Sequence, residues 1–145
     1  MTADDLDAVC ELEARAYEFP WSRAIIGGCT TVSYRIWLGT VPGETQHVCQ
    51  GFLSVAAGEA HILNVGVEPD RQGQGFGTAL LNHLISDATE LGAGQMFLEV
   101  RASNVPAIQM YLNRGFNEIG RRPGYYPAAT GREDALVFAL ELGLE

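Results

Sequence analysis

The residues Asn64-Val65-Gly66-Val67-Glu68-Pro69-Asp70-Arg71-Gln72-Gly73-Gln74-Gly75-Phe76-Gly77-Thr78 carry an apolar strand into a glycine-dense turn that opens directly into an amphipathic helix. A turn of this kind points backbone N–H groups outward at a helix N-terminus, where they bind phosphate. Three phosphate patterns compete for it. A Walker loop needs Gly-Lys followed by Ser or Thr, and the chain has no Gly-Lys pair. A dinucleotide fingerprint counted from Gly73 and Gly75 puts Thr78 where its last glycine belongs, and no long βαβ half-domain surrounds it. The pattern that fits is Gln72-x-x-Gly75-x-Gly77.

That pattern resembles the acetyl-CoA pyrophosphate loop of the GNAT N-acetyltransferases. Acetyl transfer from a thioester to an amine requires that the amine lose a proton, that a donor stabilise the tetrahedral oxyanion, and that the thiolate meet a proton donor. Glu99 is the candidate base, an acid set among Phe97, Leu98 and Val100 and, by strand alternation, on the face of Phe97 and Arg101. Burial would raise its pKa and Arg101 would lower it; a plain Glu99–Arg101 surface pair is the competing reading. Tyr111 is the candidate acid, two helical turns beyond Asn104. An amphipathic core tyrosine is the alternative there.

The elements that must position these residues follow from periodicity and turn chemistry. Thr2-Ala3-Asp4-Asp5 reads as a capping box, followed by a helical stripe from Leu6 to Tyr17 that Pro20 stops. Ser22 caps a short second helix ended by Gly27-Gly28. Tyr34–Leu38, Val48–Ala56 and Ala60–Val67 read as strands, the last two joined by a tight turn at Gly58-Glu59. Ala79 to Leu91 forms the helix after the glycine turn, and Gln95 to Arg101 the next strand. Asn104 caps a helix with Pro106 in its first turn, and Gly115 closes it. A strand starts at Phe116, Tyr125 to Gly131 reads as a loop, and Ala135 to Leu142 is the final strand. The order ααβββαβαββ predicts an α/β (α+β) fold with a mixed sheet, one domain over 1–145.

Composition narrows the function class. The content is 47% hydrophobic, and no apolar run is long enough to span a bilayer. The acidic, polar N-terminus does not read as a secretory signal. Cys10, Cys29 and Cys49 suit neither a disulfide framework nor a zinc site, which points to a reducing cytoplasm and no metal. His47, His61 and His83 have no ligand spacing and read as surface or hydrogen-bonded histidines. A net charge of −9 argues against nucleic-acid binding. It suits a cationic substrate, or simply a well-solvated surface.

Leu98-Glu99-Val100-Arg101-Ala102-Ser103-Asn104, followed by Ala107-Ile108-x-x-Tyr111-x-x-x-Gly115-Phe116, looks like the RimI branch of the GNAT superfamily, the ribosomal-protein-alanine N-acetyltransferases. Phe19-Pro20-Trp21-Ser22, Tyr125-Tyr126-Pro127 and Gly131-Arg132-Glu133-Asp134 match the same branch, so the resemblance spans nearly the whole chain. It implies that Glu99 accepts a proton, through water, and that Tyr111 donates one. Backbone at Val65, Gly66 and Val67 would pair with the pantetheine arm of acetyl-CoA. Gln72, Gly73, Gln74, Gly75, Phe76, Gly77 and Thr78 would cradle its pyrophosphate, and Asn104 would contact the cofactor. Gly73 departs from relatives that carry a basic residue there. Phe19, Trp21, Tyr125 and Tyr126 would wall the acceptor groove. The implied reaction is direct transfer in a ternary complex to the N-terminal alanine of a basic small-subunit ribosomal protein, with no metal, membrane or nucleic acid involved. A small-molecule amine acetyltransferase on the same scaffold and a non-catalytic acyl-CoA-binding module are the rivals.

Overall fold

The structure is a computed structural model and describes residues 3–28 and 34–142. Thr2, the expected first cap, and Cys29 lie outside the described residues. The elements are α1 (Ala3–Ala16), α2 (Arg23–Gly28), β1 (Tyr34–Gly39), β2 (Cys49–Ala56), β3 (Glu59–Val67), α3 (Phe76–Glu90), β4 (Gln95–Arg101), α4 (Val105–Asn113), β5 (Asn117–Pro127) and β6 (Arg132–Glu141). The order is the one the sequence predicts, with a short 3-10 turn at Pro69–Arg71 ahead of the glycine turn. The β2–β3 turn is centred one residue earlier than predicted, on Ala57 and Gly58, both with positive φ (53° and 80°). Paired positive φ values suit the right-handed twist of a hairpin.

Six strands lie in the order β1-β2-β3-β4-β6-β5. Only β3 and β4 run parallel, and α3 is the crossover that parallel pairing needs. One sheet face carries the larger core, where Leu80, Leu81, Leu84, Ile85 and Ala88 of α3 pack with Leu53, Ile62, Met96, Leu98, Tyr111, Phe116 and Phe138. Gly51 permits the close approach, since a Cβ there would meet Leu84 Cδ1 at 2.9 Å. The opposite face packs against α1 and α2 through Val9, Ile26 and Phe52, with Leu6, Trp21 and Leu63 beside them.

The feature that shapes the site is a splay between β3 and β4. Their registered pairs run from Glu59↔Gln95 to Ile62↔Leu98 and then stop, although both strands continue. The β2–β3 register shifts at the same level, where Phe52 pairs Asn64 and Leu53 pairs Ile62, leaving Leu63 as an extra residue. An extra residue bends its strand. Asn64–Val67 is thereby turned from β4, and a gap opens through the sheet.

Two strand boundaries differ from the sequence reading. Tyr125, Tyr126 and Pro127 lie in β5 rather than in a loop, and β6 begins at Arg132 rather than Ala135. The β5–β6 register shifts between Arg122 and Tyr126, and Gly124 has φ +60°. Pro123-Gly124 reads locally as a chain break, yet the ladder passes it as a bulge because side chains of β6 hold it. Arg132 donates from Nε to the Gly124 carbonyl (2.6 Å) and from Nη2 to the Tyr125 carbonyl (3.0 Å). The Gly124 N–H donates to Asp134 Oδ1 (3.0 Å).

Candidate active site

The glycine turn stands at the end of β3. Gly73 and Gly75 have φ of +77° and +91°, and nothing lies within 4 Å of where their Cβ atoms would be. Glycine is needed there for backbone conformation rather than for space. Gly75 precedes α3 with no side-chain cap, so the first N–H groups of the helix, from Phe76 to Thr78, face outward as a donor set for an anion. Side chains brace the turn from behind: Gln72 donates to the Val67 carbonyl (3.2 Å) and Gln74 to the Asp70 carbonyl (3.0 Å). Asn104 caps α4 by accepting from the Ala107 N–H at 3.3 Å. A Cβ on Gly77 would meet Met110 of α4 at 3.3 Å, so the N-terminal turn of α3 lies against α4.

Strand alternation places Leu98 and Val100 in the α3-side core and Glu99 on the opposite face. There Trp21, His61, Leu63, Glu99, Tyr125 and Tyr126 line a cleft of about 390 Å³. The Glu99–Arg101 surface pair, the competing reading of the sequence, is not what forms. Arg101 donates to the Pro127 carbonyl (2.6 Å) and to Glu133 (3.2 Å), and its guanidinium lies 4.6 Å from the Tyr126 ring centre and 5.1 Å from that of Phe19. Glu133 also accepts from the Ser103 N–H. Pairing across β6 draws Arg101 toward Glu133, beyond the reach of Glu99. Glu99 instead meets His61 Nε2 at 2.7 Å and Arg122 Nη2 at 3.6 Å, one on each oxygen. Its side chain is 11% exposed. The His61 hydrogen bond holds the carboxyl below its usual range, against the opposing effect of burial, with smaller help from the charges of His61 and Arg122.

Tyr111 is on the other face, buried with its ring near Phe116 and Phe138. It does not line the cleft. Burial raises its pKa, and Tyr126 adds to the shift. Tyr126 is pushed up to about 12, first by burial and then by the charge of Glu99.

Helix α1 holds the splayed part of β3. Tyr17 donates its hydroxyl to the Val65 carbonyl. Glu13, 1% exposed, accepts from Asn64 Nδ2 and the Trp21 N–H, both at 2.9 Å. Burial raises its pKa against these two hydrogen bonds. The carbonyls of Val65 and Val67 are thus met by Tyr17 and Gln72. Trp21 packs edge-on against Phe52 at 5.4 Å.

Sequence reasoning missed His61, Arg122, Tyr17 and Glu13 as parts of this site. Each reaches it across strand pairs or helix–strand contacts far apart in the chain. The only available signal was period two, which sets His61 and Leu63 on one face of β3. Among the described residues, no group of three or more His, Cys, Asp or Glu is placed to hold a metal ion, and no helix is long and apolar enough to cross a membrane.

The site therefore combines a splayed parallel pair, a glycine turn at its open end and a carboxylate cleft on one face. The chain belongs to the Acetyltransferase (GNAT) family, whose model matches residues 6–116. It is 40% identical to the [ribosomal protein bS18]-alanine N-acetyltransferase of Escherichia coli (strain K12), over 97% of this chain and 93% of that one. The enzyme of the same description from Haemophilus ducreyi is 34% identical over 95% of this chain and 94% of its own length. The crystal structure of the Escherichia coli ribosomal-protein-S18-alanine N-acetyltransferase superposes with a TM-score of 0.92 at 39% identity, covering all of this chain and 92% of that one.

Proposed function

We propose that this chain moves the acetyl group of acetyl-CoA directly to the N-terminal alanine of a basic small-subunit ribosomal protein, in the cytoplasm and with residues 1–145 acting as one catalytic domain. The observation that carries this reading is the gap between β3 and β4. The glycine turn sits at its open end, the Glu99 cleft on one face and Tyr111 on the other. A thioester held in the gap would offer its carbonyl carbon to an amine in the cleft and its sulfur to Tyr111. The choice of acceptor is supported by relatives that match 97% of this chain and by the aromatic side chains of the cleft.

In the pyrophosphate cradle the outward N–H groups of α3 bind the cofactor's charge, and the edge of Val65–Val67 meets its pantetheine arm. At the cleft Glu99 serves removal of the amine proton. Nitrogen then attacks the thioester carbon, the nitrogen of the tetrahedral species gives up its second proton to water, and collapse breaks the C–S bond, the sulfur leaving as a thiolate that gains a proton to become the CoA thiol. Buried Tyr111 offers its hydroxyl as the donor to the departing sulfur. No side-chain nucleophile is required.

The test offers acetyl-CoA with a peptide carrying N-terminal alanine followed by basic residues, read by mass spectrometry, with polyamines and free amino acids as competitors. The chain contains no lysine, so its own side-chain amines add no background. Acetylation confined to the peptide N-terminus is the expected result. Label on small amines alone would replace this reading with the small-molecule one, and CoA binding without transfer would favour a binding module.

A further inference from the structure

His61 has no part in the reading above, yet it is the nearest partner of the acceptor-side carboxylate and lines the same cleft. An ionised carboxylate only accepts hydrogen bonds. The 2.7 Å contact to Glu99 Oε2 is therefore made by Nε2–H of His61, which in the neutral ring leaves Nδ1 as a bare base. The two side chains differ in access to water: His61 is 39% exposed and Glu99 11%. Both Glu99 oxygens are already engaged, one by His61 and one by Arg122.

Proton affinities favour the imidazole. An N-terminal ammonium titrates near 8 and a free carboxyl near 4.3, so transfer to an ordinary carboxylate is uphill by more than about three powers of ten. His61 and Arg122 make Glu99 a weaker base still. Imidazole as a side-chain type is about two powers of ten more basic than a carboxyl, and so is the closer match to an amine.

We propose that His61 and Glu99 work as one acid–base unit, in which the His61 imidazole carries the proton that leaves the acceptor amine while Glu99 fixes its tautomer and stabilises the imidazolium. The proposal rests on the acceptor reading above. One ammonium N–H bond breaks, its electron pair remains on nitrogen for the attack, and an N–H bond forms at Nδ1, directly or through water. The imidazolium then returns the proton to solvent at its exposed edge. The titratable and charged groups placed about the cleft are Glu99 on β4, Arg122, Tyr125 and Tyr126 on β5, and Glu13 of α1 behind the Trp21 backbone. Arg101 is turned away onto Glu133.

The experiment has two arms. In the first, kcat/KM for the alanine peptide is measured from pH 5.5 to 9 for the wild type and His61→Gln, which keeps a donor for Glu99 but takes no proton. The wild type should show a rising limb in the imidazole range. His61→Gln should lose that limb and run about a hundredfold slower at pH 7, with acetyl-CoA Kd and Tm retained. An unchanged rate and profile would overturn the proposal. In the second arm, nitrogen-15 NMR of the wild type should show His61 as the Nε2–H tautomer above its titration, and Glu99→Gln should abolish that preference. A predominantly Nδ1–H ring in the wild type would overturn it as well. If no N-terminal alanine is acetylated, the acceptor reading fails on its own, and the NMR arm still decides whether the pair exists.

Discussion

The glycine turn at the open end of the gap and the Glu99 cleft on one of its faces are built in opposite ways. The turn is made of backbone from a single stretch, Gln72 to Thr78, whose donors exist because a helix begins there. The cleft is made of side chains that converge from the α1–α2 connection, β3, β4 and β5. Substitution in the turn acts through main-chain conformation, whereas substitution in the cleft removes a specific charge or donor. On the proposed roles, cofactor binding by the turn and acceptor activation by the cleft are separable, and variants should divide cleanly between them.

The sharpest break falls on the cleft. Glu99→Gln should lower kcat by about two to four powers of ten, whether Glu99 takes the proton itself or orients His61. Acetyl-CoA Kd, measured by calorimetry, should stay within about twofold. A variant at full turnover would remove Glu99 from the chemistry. Tyr111→Phe should cost less, roughly ten- to a hundredfold in kcat, the worth of one charge-assisted hydrogen bond to the thiolate. Full-rate transfer by that variant would show that the sulfur finds its donor elsewhere.

The same contrast explains what the sequence could say. The turn was readable because strand, glycines and helix are contiguous and obey local rules. Asn104 was readable as a cap for the same reason, with its Ala107 contact three residues away. The sequence leaves a Glu99–Arg101 pair open because the two lie two residues apart on one face, while the partner of Arg101, Glu133, arrives only when β6 pairs with β4. His61 and Glu99 meet because β3 and β4 are parallel neighbours, a pairing that period-two patterns do not specify. Tyr125 and Tyr126 were assigned to a loop because Pro123-Gly124 breaks a strand locally. The bonds from Arg132 and Asp134 that carry the strand through are visible only in three dimensions.

The turn should yield smaller effects of a different kind. Gly75→Ala introduces no clash, but it places a Cβ on a residue at φ +91°. A left-handed conformation costs a non-glycine residue about 1–2 kcal/mol. If the turn relaxes to avoid it, acetyl-CoA Kd should rise by roughly five- to thirtyfold. The KM for the peptide should not follow. A peptide KM that rose in parallel would mean that the turn and the cleft are coupled after all.

The smallest effect belongs to the contact that ties the two regions together on the surface. Arg15 at the end of α1 donates from Nε and Nη2 to both oxygens of Glu68, just ahead of the turn, at 2.6 and 2.8 Å. The pair is solvated, so a double-mutant cycle on Arg15 and Glu68 should give only about 0.2–1 kcal/mol of coupling in urea denaturation. Its sign with pH is fixed. The Arg15 hydrogen bond leads in holding the Glu68 carboxyl below its usual value. A depressed folded pKa contributes stability above the unfolded pKa, and that contribution disappears as pH falls through the folded one. The coupling should be present at pH 7, fade below about pH 4.5 and shrink in 1 M salt. Coupling that survives acid and salt would show that the bidentate geometry, rather than charge, joins α1 to the glycine turn.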